Sequence, residues 1–281
     1  MIPVAIVVLQ FFSCLGFGAT ILYWLGISLN KNLSEATVSS FAMGMGFIGW
    51  ITFLLGVLDL FNTISLFLFL ISGLVLAAFF FPATLVVVRS IKRAKNFYNW
   101  RVGAIILLLV VVGFLDFLEA FTPPNEADSL AYHFALPKYF IKLGQLEFVP
   151  RALDGAIPLL IQMTYVPVLS LGSEVSLMLW VFASGWVANY AVFVLARRYL
   201  TIFWSLVVAL VFATTPAVLY GAGSGQVEVR NTIFVITAMF FLLENESAKN
   251  FRNIFLAGIF TGFFVGSKYL GLLFAVSCGL I

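Results

Sequence analysis

Three polar stretches hold almost all the groups in this chain that could do chemistry. The first runs from Thr122 to Ala156 and reads TPPNEADSLAYHFALPKYFIKLGQLEFVPRALDGA. It carries Glu126, Asp128, Tyr132, His133, Lys138, Tyr139, Lys142 and Arg151. A loop carboxylate such as Asp128 is suited to general-base work, provided it reaches within about 2.6–3.2 Å of the proton it takes. Lysine and arginine beside it suit an anion, and arginine is the better bidentate clamp for phosphate. The second stretch is Gly221-Ala-Gly-Ser-Gly-Gln-Val-Glu228-Val-Arg230-Asn231. Glu228 stands at a helix start, where the dipole favours an acid whether or not it has a further role. The third is Gly266-Ser267-Lys268-Tyr269, inside an apolar region. A lysine there either snorkels to an interface or faces a polar cavity.

Several chemistries are excluded at once. His133 is the single histidine, so no multi-histidine metal site exists. As the lone imidazole it is either a hydrogen-bonded interface residue or a group that orients an acid or binds phosphate. Cys14 and Cys278 sit in apolar runs with no CxxC partner, which argues against a disulfide framework or a zinc site. The glycine-rich run before Glu228 lacks the Gly-Lys-Ser/Thr of a phosphate-binding loop. Asp116 and Glu119 share a helix face by i,i+3 spacing. They are either solvated or face the same space as Asp128.

The elements that must position these groups lie in lipid. Of 281 residues, 63% are hydrophobic and only 10% are charged. Soluble domains are about 45–50% apolar and about 25% charged. A soluble globular protein, a disordered chain and a nucleic-acid binder are therefore excluded. A bilayer core takes about 20 apolar residues per helix. Runs of that kind fall at about 2–28, 37–60, 63–88, 102–121, 175–196, 202–220, 231–243 and 254–281. The expected fold class is all-α, a polytopic transmembrane bundle of about eight spans. Short alternating segments of a β-barrel are absent. The stretch 156–171, interrupted by Pro158 and Pro167, reads as interfacial or re-entrant. The first run is too long and uncharged for a signal peptide, so it counts as a retained span.

Charge placement orients the spans. Arg89, Lys92, Arg93, Lys95 and Arg101 form a loop without an acid, which the positive-inside rule places in the cytoplasm. Threading from there puts ten of the 15 basic residues on that side, including Lys31, Arg197, Arg198, Lys249 and Arg252. Nine of the 12 acids fall on the other, from Asp59 through Asp128 and Asp154 to Glu228. The N-terminus then lies outside. From Ser129 to Leu143 an amphipathic pattern, with Leu130, Phe134, Ile141 and Leu143 as its apolar side, predicts a helix lying in the outer interface. The last run stops at Ile281 without a charged anchor, so a longer protein is expected.

These residues resemble a family. Asp128-Ser-Leu-Ala-Tyr132-His133-Phe-Ala-Leu-Pro137-Lys-Tyr139, followed by Gly144, looks like the first outer loop of the polytopic GT-C glycosyltransferases. The nearest group is the bacterial RgtA/B/C/D-like one, related to protein mannosyltransferases and aminoarabinose transferases. Arg197-Arg198-Tyr199, Ala213-Thr-Thr-Pro216, Gln226-Val-Glu228-Val, and Gly258 to Gly262 through Gly266-Ser-Lys268-Tyr269-Leu-Gly271 follow in the family's order. Glu228 departs from the family by standing where an aspartate is usual. The resemblance covers 102–281, so the chain divides into three N-terminal helices with a basic loop (1–101) and a GT-C-like core (102–281).

The resemblance implies a multi-pass transferase of a bacterial plasma membrane. Its donor would be a polyprenyl-phosphate sugar, and its acceptor a lipid, glycan or protein on the non-cytoplasmic face. Asp128 would be the general base in an inverting displacement, with Glu228 a second acid that shapes the acceptor site or helps hold a divalent metal. The two carboxylates form no ligand cluster, so the cofactor stays open. Tyr132, His133, Lys138, Arg151, Arg230, Lys268 and Tyr269 would bind substrate. Two rivals remain. One is a transporter or lipid flippase, with outer acids and Lys268 as a coupling-ion site. The other is an inactive GT-C-like scaffold.

Overall fold

The computed structural model describes residues 2–28, 32–80, 100–150, 157–244 and 251–279. Lys31, the basic stretch 89–95, Arg151, Asp154 and Lys249 lie outside them. Every regular element among the described residues is helical. In order these are α1 (Ile2–Trp24), α2 (Leu33–Val57), α3 (Thr63–Phe80), α4 (Trp100–Glu119), a π turn (Ser129–His133), α5 (Ala135–Leu143) and α6 (Leu160–Leu171). There follow α7 (Glu174–Ala196), α8 (Ile202–Thr214), α9 (Pro216–Ala222), α10 (Glu228–Leu243), α11 (Phe251–Ser267) and α12 (Gly271–Gly279).

Four helices, α1, α2, α4 and α7, are long and apolar enough to cross a membrane. A fifth crossing arises if α8 and α9 count as one span with a 70° bend. The bend follows from Pro216. The residue before a proline is pushed out of the helical region, and Thr215 is extended at φ −64°, ψ 126°. Proline at the first helical position then starts α9 without losing a bond. The sequence expectation of eight spans meets shorter elements elsewhere. The run 254–281 breaks between α11 and α12, and α10 has 16 residues. At 1.5 Å per residue such a helix spans about 24 Å, short of a bilayer core of about 30 Å.

One apolar cluster runs from Val7 on α1 to Phe264 on α11, so the N-terminal helices share their core with the rest. The backbones of α1 and α2 touch. A Cβ on Gly18 would lie 1.7 Å from the Ser40 carbonyl oxygen, and one on Gly44 would lie 1.8 Å from that of Cys14. Small residues at such crossings are the usual way for helices in lipid to pack closely.

The stretch expected to be interfacial or re-entrant is α6, and it is buried from Leu160 to Val168. Gln10 Nε2 donates to the Thr164 carbonyl (2.8 Å), and Trp180 Nε1 donates to Thr164 Oγ1 (3.1 Å). The Leu160 carbonyl packs on Gly49. Gln10, Gly49 and Trp180 stand about 9–12 Å in from the ends of α1, α2 and α7 at 1.5 Å per residue. With only 12 residues, α6 is a strut inside the bundle.

The helix ends sort into two groups. At one end Arg198 binds Glu35 twice, at 2.7 and 2.6 Å, lies 3.7 Å from Glu244 and covers the Phe240 ring. Arg252 donates to the Gly26 carbonyl (2.7 Å). This joins α1, α2, α7, α10 and α11 there. The loops around Asp128 and Glu228 lie at the other end.

The amphipathic reading of 129–143 needs a correction. The segment is helical, but Leu130 and Leu143 are exposed, and the buried side is Phe134, Leu136, Pro137 and Phe140. A π turn opens the segment. The Phe134 amide donates to the Ser129 carbonyl five residues back (2.9 Å), which adds a residue to that turn and rotates α5 about its axis.

Candidate functional site

The most firmly held acid is Glu126, to which the sequence reading gave no role. Its carboxylate accepts from the amides of Asp128 (2.9 Å) and Ser129 (2.6 Å), from Ser129 Oγ (2.6 Å) and from the Tyr220 hydroxyl (3.2 Å). The amide bonds resemble an N-cap, since they satisfy donors that open the π turn. Burial opposes ionisation of Glu126. The hydrogen bonds from Ser129, the Asp128 amide and Tyr220 outweigh it and hold the carboxyl below its ordinary range. Ser129 Oγ in turn accepts from the Gly225 amide (2.7 Å). Tyr165 on α6 donates to the Gly225 carbonyl (3.2 Å). Glu126, Ser129 and Gly225 thus fasten the first polar loop to the second, across more than ninety positions of sequence.

Around this clamp stand the groups expected from sequence. Asp128 is exposed. Tyr132 lies beside it, and its hydroxyl is pushed up to about 12, first by burial, then by the charge of Asp128 and a hydrogen bond to it. The charges of Glu228 and Glu126 act in the same direction. His133 is buried, and its ring packs on Tyr132 at 4.3 Å between centroids. Burial lowers its pKa to about 4, against the nearby charges of Glu228, Asp128 and Glu126 and with that of Arg230. Its Nδ1 lies 3.0 Å from Nε2 of Gln162 on α6.

Glu228 opens α10 and forms an ion pair with Lys268, with both side chains close to half exposed. Lys268 follows the end of α11, so its ammonium meets the carboxylate where one helix ends and another begins. Beneath the pair, Ser267 donates to Asn231, both buried. Tyr269 is exposed beside Lys268.

One residue expected to bind substrate is committed elsewhere, and a second is in an exposed ion pair. Arg230 is 0% exposed. Its Nε donates to Ser184 Oγ (3.1 Å). Its terminal nitrogens donate to the carbonyls of Gly221 (3.2 Å), Gln226, Val181 (2.9 Å) and Ala222 (3.2 Å). Arginine has five N–H donors, and all five meet protein acceptors. Arg230 therefore folds the glycine-rich loop onto α7 and has no donor for a phosphate. Lys138 pairs with Glu174 at 2.5 Å, which ties α5 to the start of α7. Arg151 lies outside the described residues.

Asp116 and Glu119 make contacts of their own. Asp116 accepts from Trp186 Nε1 (3.0 Å), and Glu119 packs against Gly223. Among the described residues no three His, Cys, Asp or Glu side chains gather as a metal site.

Sequence reasoning missed Glu126, Ser129, Gln162, Tyr165 and Tyr220. A signal existed for two of them. Glu126 stands two and three residues before the amides it caps, and Gln162 is a lone amide in an apolar run, where a polar group needs a partner. No family model matches the chain, and no curated protein or solved structure is similar to it.

Proposed function

We propose that this chain is a membrane glycosyltransferase of the GT-C kind. It moves a sugar from a polyprenyl-phosphate donor to a lipid, glycan or protein acceptor on the non-cytoplasmic face. The observation that carries this reading is the clamp of Glu126 and Ser129 on Gly225. It brings two distant loops together, with Asp128 and Glu228 both near enough for their charges to act on Tyr132 and His133.

Asp128 takes a proton from the acceptor hydroxyl or amine. The acceptor atom bonds to the anomeric carbon as the carbon–oxygen bond to phosphate breaks. Polyprenyl phosphate leaves with the electron pair, and the configuration inverts. Among the described residues Lys268, Lys138 and the exposed Lys142 are the basic groups that can face the donor phosphate, since Arg230 is buried and fully engaged by protein. Glu228, held by Lys268, faces the acceptor. The chain is multi-pass in a bacterial plasma membrane with its N-terminus outside, and α3, α10 and α11 would bring the crossings to about eight.

The test is transfer from polyprenyl-phosphate sugars in membranes carrying the wild type, Asp128→Asn or Glu228→Gln. Asp128→Asn is expected to lose transfer by about a hundredfold or more, in line with a general base. Full activity in Asp128→Asn sinks the assignment. A wild type that transfers nothing but moves a labelled lipid across vesicles is a flippase. Orientation is read with Asn125→Cys, an exposed position that labels from outside if the proposed topology holds.

A further inference from the structure

We infer that Gln162 is a positioning residue that holds His133 as the neutral tautomer protonated at Nε2, so that the ring offers one N–H to a hydroxyl oxygen of a sugar. The identity of the ligand rests on the transferase reading. The tautomer does not.

Gln162 is 1% exposed and rides on α6, the strut that Gln10, Trp180 and Gly49 fix from three sides. Its amide lies 3.0 Å from Nδ1 of His133. Two orientations of the amide fit that contact. In one, Nε2 donates one proton to the lone pair of Nδ1, and its second proton and Oε1 are left without a partner. In the other, Oε1 accepts from Nδ1–H, and a buried NH2 group keeps two unpaired protons. Orphaned buried N–H groups are rarer than under-used carbonyls, so the first orientation is favoured. A donor facing Nδ1 leaves the ring proton on Nε2.

The surroundings agree. Glu228, Arg230, Asp128 and Glu126 are the charged groups that act on the ring, three acids against one base. Tyr132, packed on the ring, already turns its hydroxyl to Asp128. A negative field favours an N–H over a lone pair on the edge turned away from Gln162. Burial keeps the ring neutral down to a pH of about 4, so that edge bears no full charge. A neutral donor among carboxylates matches an uncharged polyol. Such a ligand accepts from the N–H and donates its own hydroxyls to the acids. A phosphate would meet repulsion there.

The chain makes the test direct, because His133 is its only histidine. Labelling with 15N-histidine reports one ring in this 281-residue chain in phosphatidylcholine nanodiscs. The expected spectrum has a pyrrole-type Nε2 and a pyridine-type Nδ1, unchanged from about pH 8 to pH 5. Gln162→Met removes the donor and is expected to mix the tautomers. Gln162→Glu places an acceptor at Nδ1 and is expected to move the proton there and raise the ring's pKa. Protonation at Nδ1 in the wild type overturns the inference, whatever the variants do. So does a tautomer ratio in Gln162→Met equal to that of the wild type. For the ligand, an alkyl glycoside added to the nanodiscs is expected to shift the Nε2 signal and an alkyl phosphate to leave it. No shift with the glycoside, or an equal shift with the phosphate, overturns the sugar assignment. The expected tautomer in a protein that transfers no sugar would leave Gln162 in its role and remove the transferase reading.

Discussion

Both ends of the bundle carry a glutamate paired with a base, and the two pairs are built for different ends. Arg198 grips Glu35 through two bonds, with the side chains 18% and 12% exposed and Phe240 beneath the guanidinium. Lys268 meets Glu228 through one contact, with the side chains 42% and 44% exposed. The first pair, with Glu244 and Phe240, closes the ends of α2, α7 and α10 together and offers little to a ligand. The second leaves carboxylate oxygens and ammonium protons toward water. A similar contrast runs through the acidic end itself. Arg230 and Glu126 are buried and fully engaged, while Asp128, Glu228 and Lys268 stand on the rim. Ionisable groups saturated by protein partners hold this fold, and those with unused bonding capacity are the ones left for chemistry.

The hardest test of that contrast is Arg230→Met. It keeps apolar bulk and removes every donor, so the carbonyls of Ala222 and Gln226 lose a buried partner, while those of Val181 and Gly221 keep bonds from the Ser184 and Ser224 hydroxyls. Each orphaned group costs about 1–3 kcal/mol. A loss of about 3–5 kcal/mol is expected in detergent unfolding, with transfer lost as the second loop detaches. Arg230→Lys should recover little, because an ammonium has three donors where five are used. Near-native stability in either variant would mean that the loop is held by packing alone.

Glu126→Gln comes next. The amide keeps the size of the side chain and loses the charge that Ser129 and two backbone amides address. Hydrogen bonds to a charged group are worth about 1.5–3 kcal/mol. The pH dependence has a definite sign. The folded pKa of Glu126 lies below its ordinary value, so its stabilisation is complete above the unfolded pKa of about 4.3 and is lost as pH falls through the folded value. The gap in unfolding midpoint between wild type and Glu126→Gln should be flat above about pH 5.5 and close below about pH 4. A gap that widens on acidification would show that the carboxyl is protonated in the fold.

Much of this arrangement is legible in the sequence, for reasons that lie in particular residues. Apolar runs of span length mark α1, α2, α4 and α7 because lipid demands them. The gathering of Arg198 and Arg252 at one end, away from Asp128 and Glu228, follows from alternation of the spans. The break in 254–281 is visible at Gly266-Ser267-Lys268, where α11 indeed ends. The features that stay hidden depend on tertiary partners. Arg230 looks like a phosphate ligand until the carbonyls of its own loop fold over it. Glu126 looks like a spare acid beside Asp128 until the Tyr220 hydroxyl arrives from α9. The π turn adds a residue, and no periodicity in 129–143 announces it. α6 looks interfacial because it is short and proline-broken, yet the polar side chains that pin it come from α1 and α7.

The smallest stability effects give the sharpest reading of the two pairs. Glu35→Gln removes the charge that Arg198 clasps in a mostly buried setting. It is expected to lower stability by about 1–2 kcal/mol, as hydrogen bonds to charged groups do, and to leave transfer unchanged, since it lies at the far end. Lys268→Met is expected to do the reverse. Exposed ion pairs contribute roughly 0–1 kcal/mol, so unfolding should barely move. If the proposed transferase reading holds, transfer should fall about tenfold or more, because Glu228 loses the partner that fixes it and a donor phosphate would lose a cation. Measuring both variants for unfolding and for transfer yields a crossed pattern if one pair is structural and the other functional. If Lys268→Met proves the more destabilising and leaves transfer intact, the half-exposed pair is a strut, and the chemistry must be sought at Asp128 without it.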